Sequence, residues 1–187
     1  TEVAYFDSAP TSTAATFNGM WGCYPYLPSG TIICSDLERG LFVVTYDPPP
    51  GTSYCVANPN SSGGPATVEG LGTNRIANND LEVVASSLPL NSNGYFVVSA
   101  TQGFIANPGG SQGNLCLGGS FGRYIAQTGN SGASGVLRVD VDVNAVPQPN
   151  GNAVVQSGET WNFQCWYRDA NPGVTSNFSP GYSVHFQ

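Results

Sequence analysis

ETWNFQCWYRD, residues 159 to 169, decides the fold class. In an extended chain Trp161, Phe163, Cys165 and Tyr167 fall on one side, and Asn162, Gln164, Trp166 and Arg168 fall on the other. Alternation with a period of two residues is the signature of a strand that buries one face. GVLRVDVDVN (135–144) repeats it, with Leu137, Val139, Val141 and Val143 apolar and Arg138, Asp140 and Asp142 charged. Outward from these two runs lie DLEVVASSL (80–88), GYFVVSATQGFIA (94–106), GRYIAQT (122–128) and GYSVHFQ (181–187). None sustains a helical apolar period, and many short strands separated by turn residues predict an all-β, β-sandwich or jelly-roll-like domain over residues 55–187.

A second group of β segments precedes it: EVAYF (2–6), MWGCYPYL (20–27), TIICS (31–35) and GLFVVTY (40–46). They predict a small antiparallel β segment over 1–47. Three consecutive prolines in DPPPGTSYC (47–55) break both helix and central strand, so 48–54 reads as a Pro-rich linker. If LPSG (27–30) turns at Pro28 and Ser29, Leu27 faces Gly30 and Cys23 faces Cys34, close enough for a disulfide. Among Cys55, Cys116 and Cys165 three single bonds are open. Cys55–Cys116 is preferred because it would tie the start of the domain to its glycine-rich loop, leaving Cys165 as a small buried hydrophobe.

Charged residues make up only 9% of the chain, against roughly 25% in ordinary soluble proteins, and solubility rests on hydroxyls and amides. The net charge of −7 removes the counterion-release term that drives nucleic-acid binding, so DNA, RNA and anionic lipid surfaces are poor candidates as partners, and no nucleic acid is expected. No apolar run is long enough to span a membrane, so no membrane insertion is expected. A chain beginning at Thr1 reads as a processed product or a piece of something longer. Lysine-free, amide-rich strands with unclustered cysteines point to disulfides and a secreted, extracellular setting rather than to structural zinc.

NPGGSQGNLCLGGSFGR (107–123) is rich in glycine, but without a lysine it is no P-loop, and its spacing is not that of a dinucleotide site. It reads as an architectural loop between strands. His185, the only histidine, lies opposite Tyr182, Val184 and Phe186 on a strand pattern and faces solvent rather than a nucleophile. Asp140 and Asp142 sit on one strand face, whereas a glycosidase needs carboxylates on both sides of the bond it cuts. No catalytic residue and no cofactor is therefore assigned. Asp140, Asp142 and Asp169 are weak calcium candidates, since no EF-hand-like loop contains them. Trp166, flanked by Asn162, Gln164 and Arg168, could stack on a sugar. Trp21, Tyr24 and Tyr26 fit a core or an interface. Asn60 and Asn177 head N-glycosylation sequons.

GMWGCYPYLPSGTIICSDLERGLFVV (19–44) resembles the closing blade of the secreted LVIVD-repeat β-propellers, the choice-of-anchor B proteins. Trp21, Gly22, Tyr24, Pro25, Tyr26, Leu27, Pro28, Ser29 and Gly30 match one stretch of that pattern, and Ser35, Asp36, Gly40, Leu41, Phe42 and Val43 match the strand after it. Cys23 and Cys34 stand where such blades carry aliphatic residues. TQGFIANPGGSQGNLCLGG and ETWNFQCWYRDANPGVTSNFS resemble an uncharacterised C-terminal module of large secreted proteins from planctomycetes and other Gram-negative bacteria. A single blade cannot close a propeller and leaves strand edges open. The expectation is a secreted bacterial structural subunit of a cell-surface or extracellular assembly, such as a filament. It would form a homo-oligomer or polymer through β edges, with Trp21, Tyr24, Tyr26, Phe42 and Val44 at the joint. The alternative is a carbohydrate-binding or adhesion module of a larger secreted protein, with glycans as its partners and Trp166 as its centre.

Overall fold

The computed structural model describes residues 5–11, 19–46 and 48–187. The chain is all-β, built from antiparallel sheets, and divides into two compact units, 1–48 and 49–187. The expected strand segment EVAYF falls largely outside the described residues, which begin at Tyr5.

Unit 1 is a three-stranded sheet of β1 (Met20–Tyr24), β2 (Thr31–Asp36) and β3 (Gly40–Thr45), in that order. The β1–β2 turn closes with the Gly30 N–H donating to the Leu27 carbonyl at 2.9 Å, and Gly30 takes the positive φ of 74° that the turn requires. The resulting register places Cys23 directly opposite Cys34, as LPSG implies. The expected bond between them is not formed, and both are free thiols. Cys23 Sγ turns along its own strand toward Met20 Sδ, 3.0 Å away. The Cys23 thiol beside Cys34, together with burial, pushes the Cys34 thiol up to about 11, so at neutral pH it is protonated and a poor nucleophile. At the β2–β3 turn Asp36 Oδ1 accepts the N–H groups of Glu38 and Arg39, each at 2.9 Å.

Unit 2 begins with β4 (Gly51–Tyr54), β5 (Thr67–Leu71), β6 (Glu82–Ser86) and β7 (Asn93–Ser99). The β8 (Thr101–Ala106) and β9 (Asn114–Gly118) hairpin comes next, followed by β10 (Gly122–Arg123), β11 (Gly129–Asn130) and β12 (Leu137–Asp140). The chain ends with the β13 (Val146–Gln148) and β14 (Gly151–Ala153) hairpin, then β15 (Thr160–Asp169), β16 (Thr175–Phe178) and β17 (Gly181–His185). The main sheet runs β10-β7-β15-β17-β4, with β11 also on β7 and β16 also on β15, and a second sheet runs β12-β6-β5. The expected linker is shorter than its prolines suggest, because Gly51–Tyr54 pairs with β17 as an edge strand. Pro48, Pro49 and Pro50 stand just outside it, where no N–H is needed.

The core lies between these two sheets. Trp161, Phe163, Cys165 and Tyr167 of β15 join Phe96 and Val98 of β7 and Tyr182 and Val184 of β17 on one side. Val83 and Ala85 of β6 and Leu137 and Val139 of β12 meet them from the other, and Val141 and Val143 continue the apolar face past the end of β12. Both alternating runs are thus read correctly from the sequence on their apolar sides. On the polar side of β15 the outcome differs. The β8–β9 hairpin lies over the outer face, where Leu115 and Leu117 pack with Val97 and Phe178. The glycine-rich segment is therefore no plain loop. Gly109 and Gly110 supply positive φ (60° and 83°) at the turn, and residues 114–118 are the returning strand. The preferred disulfide, Cys55–Cys116, anchors that strand to the chain just after β4, with Cα atoms 6.3 Å apart. Cys165 is a free, fully buried thiol, pushed well above its usual range by that burial.

Candidate functional site

Because β15 pairs with β7 on one side and β16 on the other, Trp166 stands between Tyr95 and Phe178 in one cross-strand row on the outer face of the main sheet. The Tyr95 and Trp166 rings lie 5.0 Å apart, tilted by 37°. Val97, two residues along β7, pairs with Arg123 of β10, which extends the surface sideways. Arg123 lies over the Phe121 ring at 4.9 Å, and Arg168 lies over the Trp166 ring at 5.2 Å. Tyr95, Phe121 and Trp166 remain half-buried, while both arginines are exposed. The turn at Pro108 and Gly109 closes one wall, and the result is an aromatic groove of about 270 Å³. Among the described residues no acidic side chain lines it.

Two of the residues expected beside Trp166 are not there. Asn162 and Gln164 are fully buried under the β8–β9 hairpin. Asn162 donates to the Ser99 carbonyl and accepts from Gln102 Nε2. Gln164 accepts the Cys116 N–H at 2.9 Å and donates to the carbonyls of Asn114 and Ser179 at 2.8 and 2.7 Å. An amide that satisfies three backbone groups is a structural element, and no sugar can reach it. Tyr95, Phe121 and Arg123 take their place, and the sequence could show them only through the strand register.

Unit 1 offers a different surface. Its register separates the residues expected at a joint onto two faces, with Phe42 and Val44 sharing a face with Cys34, and Tyr24 sharing the other with Ile33 and Val43. The first face is partly covered, since the Phe6 ring packs edge-on against Phe42 at 5.2 Å. On the second, Leu41 and Val43 are 67% and 63% exposed and Tyr24 is half exposed. Tyr26, beyond β1, is exposed and meets Tyr24 edge-on at 5.7 Å. Trp21 occupies the bulge between Met20 and Gly22 and is exposed. Leu41 and Val43 are thus exposed apolar residues of this sheet that sequence reading did not single out. The signal was the unbroken apolar run GLFVV, which leaves neither face polar.

The remaining candidates are dispersed. His185 lies at the exposed end of β17, its Nδ1 3.1 Å from Thr160 Oγ1, with Tyr182, Val184 and Phe186 buried on the opposite face. The proposed calcium carboxylates stand apart. Asp140 ends β12 in the second sheet, and Asp142 lies beyond it and accepts from Asn79 and the Asn144 N–H. Asp169 belongs to the main sheet, and its oxygens accept from the Ser61 and Ala170 N–H groups and from Asn177 Nδ2. Among the described residues no three His, Cys, Asp or Glu side chains gather to hold a metal ion. The sequon asparagines are closed to glycan attachment in the folded chain. Asn60 and Asn177 are fully buried, and their amide nitrogens donate to Ser87 and Tyr167 and to Pro59 and Asp169 respectively.

Burial alone would raise the Asp169 carboxyl, but the hydrogen bonds from Ser61, Asn177 and Ala170 outweigh it and hold the group below its usual range. A depressed folded value stabilises the protein above the unfolded value near 4, and that stabilisation fades as pH falls through the folded one. Asp169→Asn, which sets two amide donors against each other, is expected to cost about 2 kcal/mol at pH 7. The gap from wild type should narrow in urea titrations run at pH 3, and a constant gap would contradict the assignment.

No family model, curated protein or solved structure matches this chain. Among the described residues no helix is long and apolar enough to cross a membrane.

Proposed function

We propose that this protein is a secreted, non-enzymatic structural subunit that associates with copies of itself through unit 1. The observation that carries this reading is the second face of the small sheet, where Tyr24, Leu41 and Val43 stand in water beside two outer strands, β1 and β3. An apolar sheet face of this kind is a template for a second chain, which can cover it or extend its edge. The low charge of the chain leaves little repulsion to oppose such packing. The disulfide in unit 2 supports an oxidising, extracellular setting.

Sedimentation at several concentrations tests it. Wild type is expected to form oligomers or filaments as concentration rises, while Leu41→Lys/Val43→Lys stays monomeric with an unchanged unit 2. Monomeric wild type at all concentrations would remove this reading.

The Tyr95–Trp166 stack favours a second reading, a carbohydrate-binding module. Half-buried aromatic faces beside exposed guanidinium groups suit a ligand that is apolar on its ring face and polar at its rim. Here quenching of tryptophan fluorescence by a glycan in the monomer, lost in Trp166→Ala, is the expected result.

A further inference from the structure

We infer that the groove around Trp166 takes an acidic oligosaccharide, a short chain of uronic-acid residues laid diagonally across the outer face of the main sheet. The inference rests on the carbohydrate reading above and adds the charge and length of the ligand.

Charge comes first. The chain has five basic residues against twelve acidic ones, all five are arginines, and its overall field repels anions. Of these five, Arg138 is paired with Glu82 at 2.8 Å, Arg39 donates to the Ser8 carbonyl, and Arg75 is exposed in the connection between β5 and β6. Arg123 lines the groove and Arg168 lies over its Trp166 ring; both are exposed, and among the described residues neither has a carboxylate partner. Each is instead held over an aromatic ring, which fixes the guanidinium plane while leaving its N–H groups available. A planar guanidinium so placed matches a carboxylate, with two parallel N–H···O bonds. With no acid among the described residues that line the groove, an anion meets no repulsion from its lining.

Length follows from the register. On β7, Tyr95 pairs with Trp166 and Val97 pairs with Arg123, while Tyr167 pairs with Gly94, which sets Arg168 beside Asn93. The backbone positions of the two arginines therefore lie two strands apart and four residues apart along the strand direction, roughly 16 Å on the sheet grid, with the Arg168 guanidinium leaning back over Trp166. The Trp166–Tyr95 row falls midway between them. One sugar ring set against that row does not span the whole distance between the two backbone positions. A chain of several uronates, stacked at its centre and carrying carboxylates toward both ends, engages all three points.

The experiment titrates the full-length protein with an oligogalacturonate and with the same oligomer fully methyl-esterified, following tryptophan fluorescence and calorimetry. The acidic form is expected to bind, and esterification to weaken it by about tenfold or more, since it removes the charge and keeps the ring faces. Arg123→Gln and Arg168→Gln, both at exposed positions, should each cost about threefold to tenfold, and Trp166→Ala should abolish binding. Added salt should weaken the acidic oligomer only. Equal binding of both forms would overturn the acidic assignment and keep the carbohydrate reading, as would binding of a neutral glucan alone. No binding by either form or by neutral glucans would remove both. Retained affinity in the two arginine variants, whose far-UV spectra and melting temperatures report folding, would also overturn it.

Discussion

Reducing Cys55–Cys116 is expected to lower the unfolding free energy of residues 49–187 by about 4 kcal/mol. The bond joins positions 61 residues apart, and closing a loop of that length removes about 4 kcal/mol of conformational freedom from the unfolded chain in the loop-entropy treatment. Cys23, Cys34 and Cys165 are free, so a reductant acts on this bond alone. The reduced protein should still fold, because other contacts hold the same junction. The Tyr54 hydroxyl donates to the Cys116 carbonyl, Asn58 Nδ2 to the Gln112 carbonyl and Asn114 Nδ2 to the Val56 carbonyl. Urea unfolding followed by the tryptophan fluorescence of unit 2, with and without reductant, measures the difference. An unchanged midpoint would mean that the unfolded chain gains no freedom when the bond opens.

How far the sequence could be read depends on what a polar side chain can do when buried. Leu137 to Val143 and Trp161 to Tyr167 alternate, and the odd-numbered apolar members of both runs all enter the core. The charged members of the first run, Arg138, Asp140 and Asp142, stay in water. The polar members of the second are partly amides, and Asn162 and Gln164 are buried without a charge to desolvate. Amides and charges look alike to a two-letter apolar/polar pattern, and only the charge difference between the two runs hinted at a covering layer. That layer, β9, was hidden because five residues of NLCLG are too short for alternation to stand out among glycines. The same limit applies to the groove. Trp166 could be singled out by itself, but Tyr95, Phe121 and Arg123 reach it through strand pairings between distant parts of the chain. In unit 1 the turn chemistry of LPSG set the Cys23–Cys34 register correctly, while the redox state of the two sulfurs is not a property that register determines.

Gln164→Leu is expected to destabilise unit 2 by about 4 kcal/mol, although it replaces a polar core residue by an apolar one of similar size. The side chain is fully buried, and its amide serves the Cys116 N–H, the Asn114 carbonyl and the Ser179 carbonyl at once. Leucine satisfies none of them, and each backbone group left unpaired in the interior costs about 1–3 kcal/mol, partly offset by the apolar surface that leucine buries. The three groups lie on β9 and just beyond β16, so the amide fastens the hairpin and the β16–β17 connection to β15. The loss should therefore be concentrated in the covering layer. The Cys116 amide proton is expected to exchange slowly in wild type and much faster in the variant, while the amides of β6 and β12 in the opposite sheet change far less. If Gln164→Leu unfolds too readily to compare, Gln164→Glu at pH 3 keeps the acceptor for the Cys116 N–H and should recover part of that protection. The hairpin also forms one wall of the groove, through Pro108, Gly109 and Leu115. Gln164→Leu should thus weaken any ligand bound at Trp166 without touching it, and unchanged exchange at Cys116 would contradict the whole assignment.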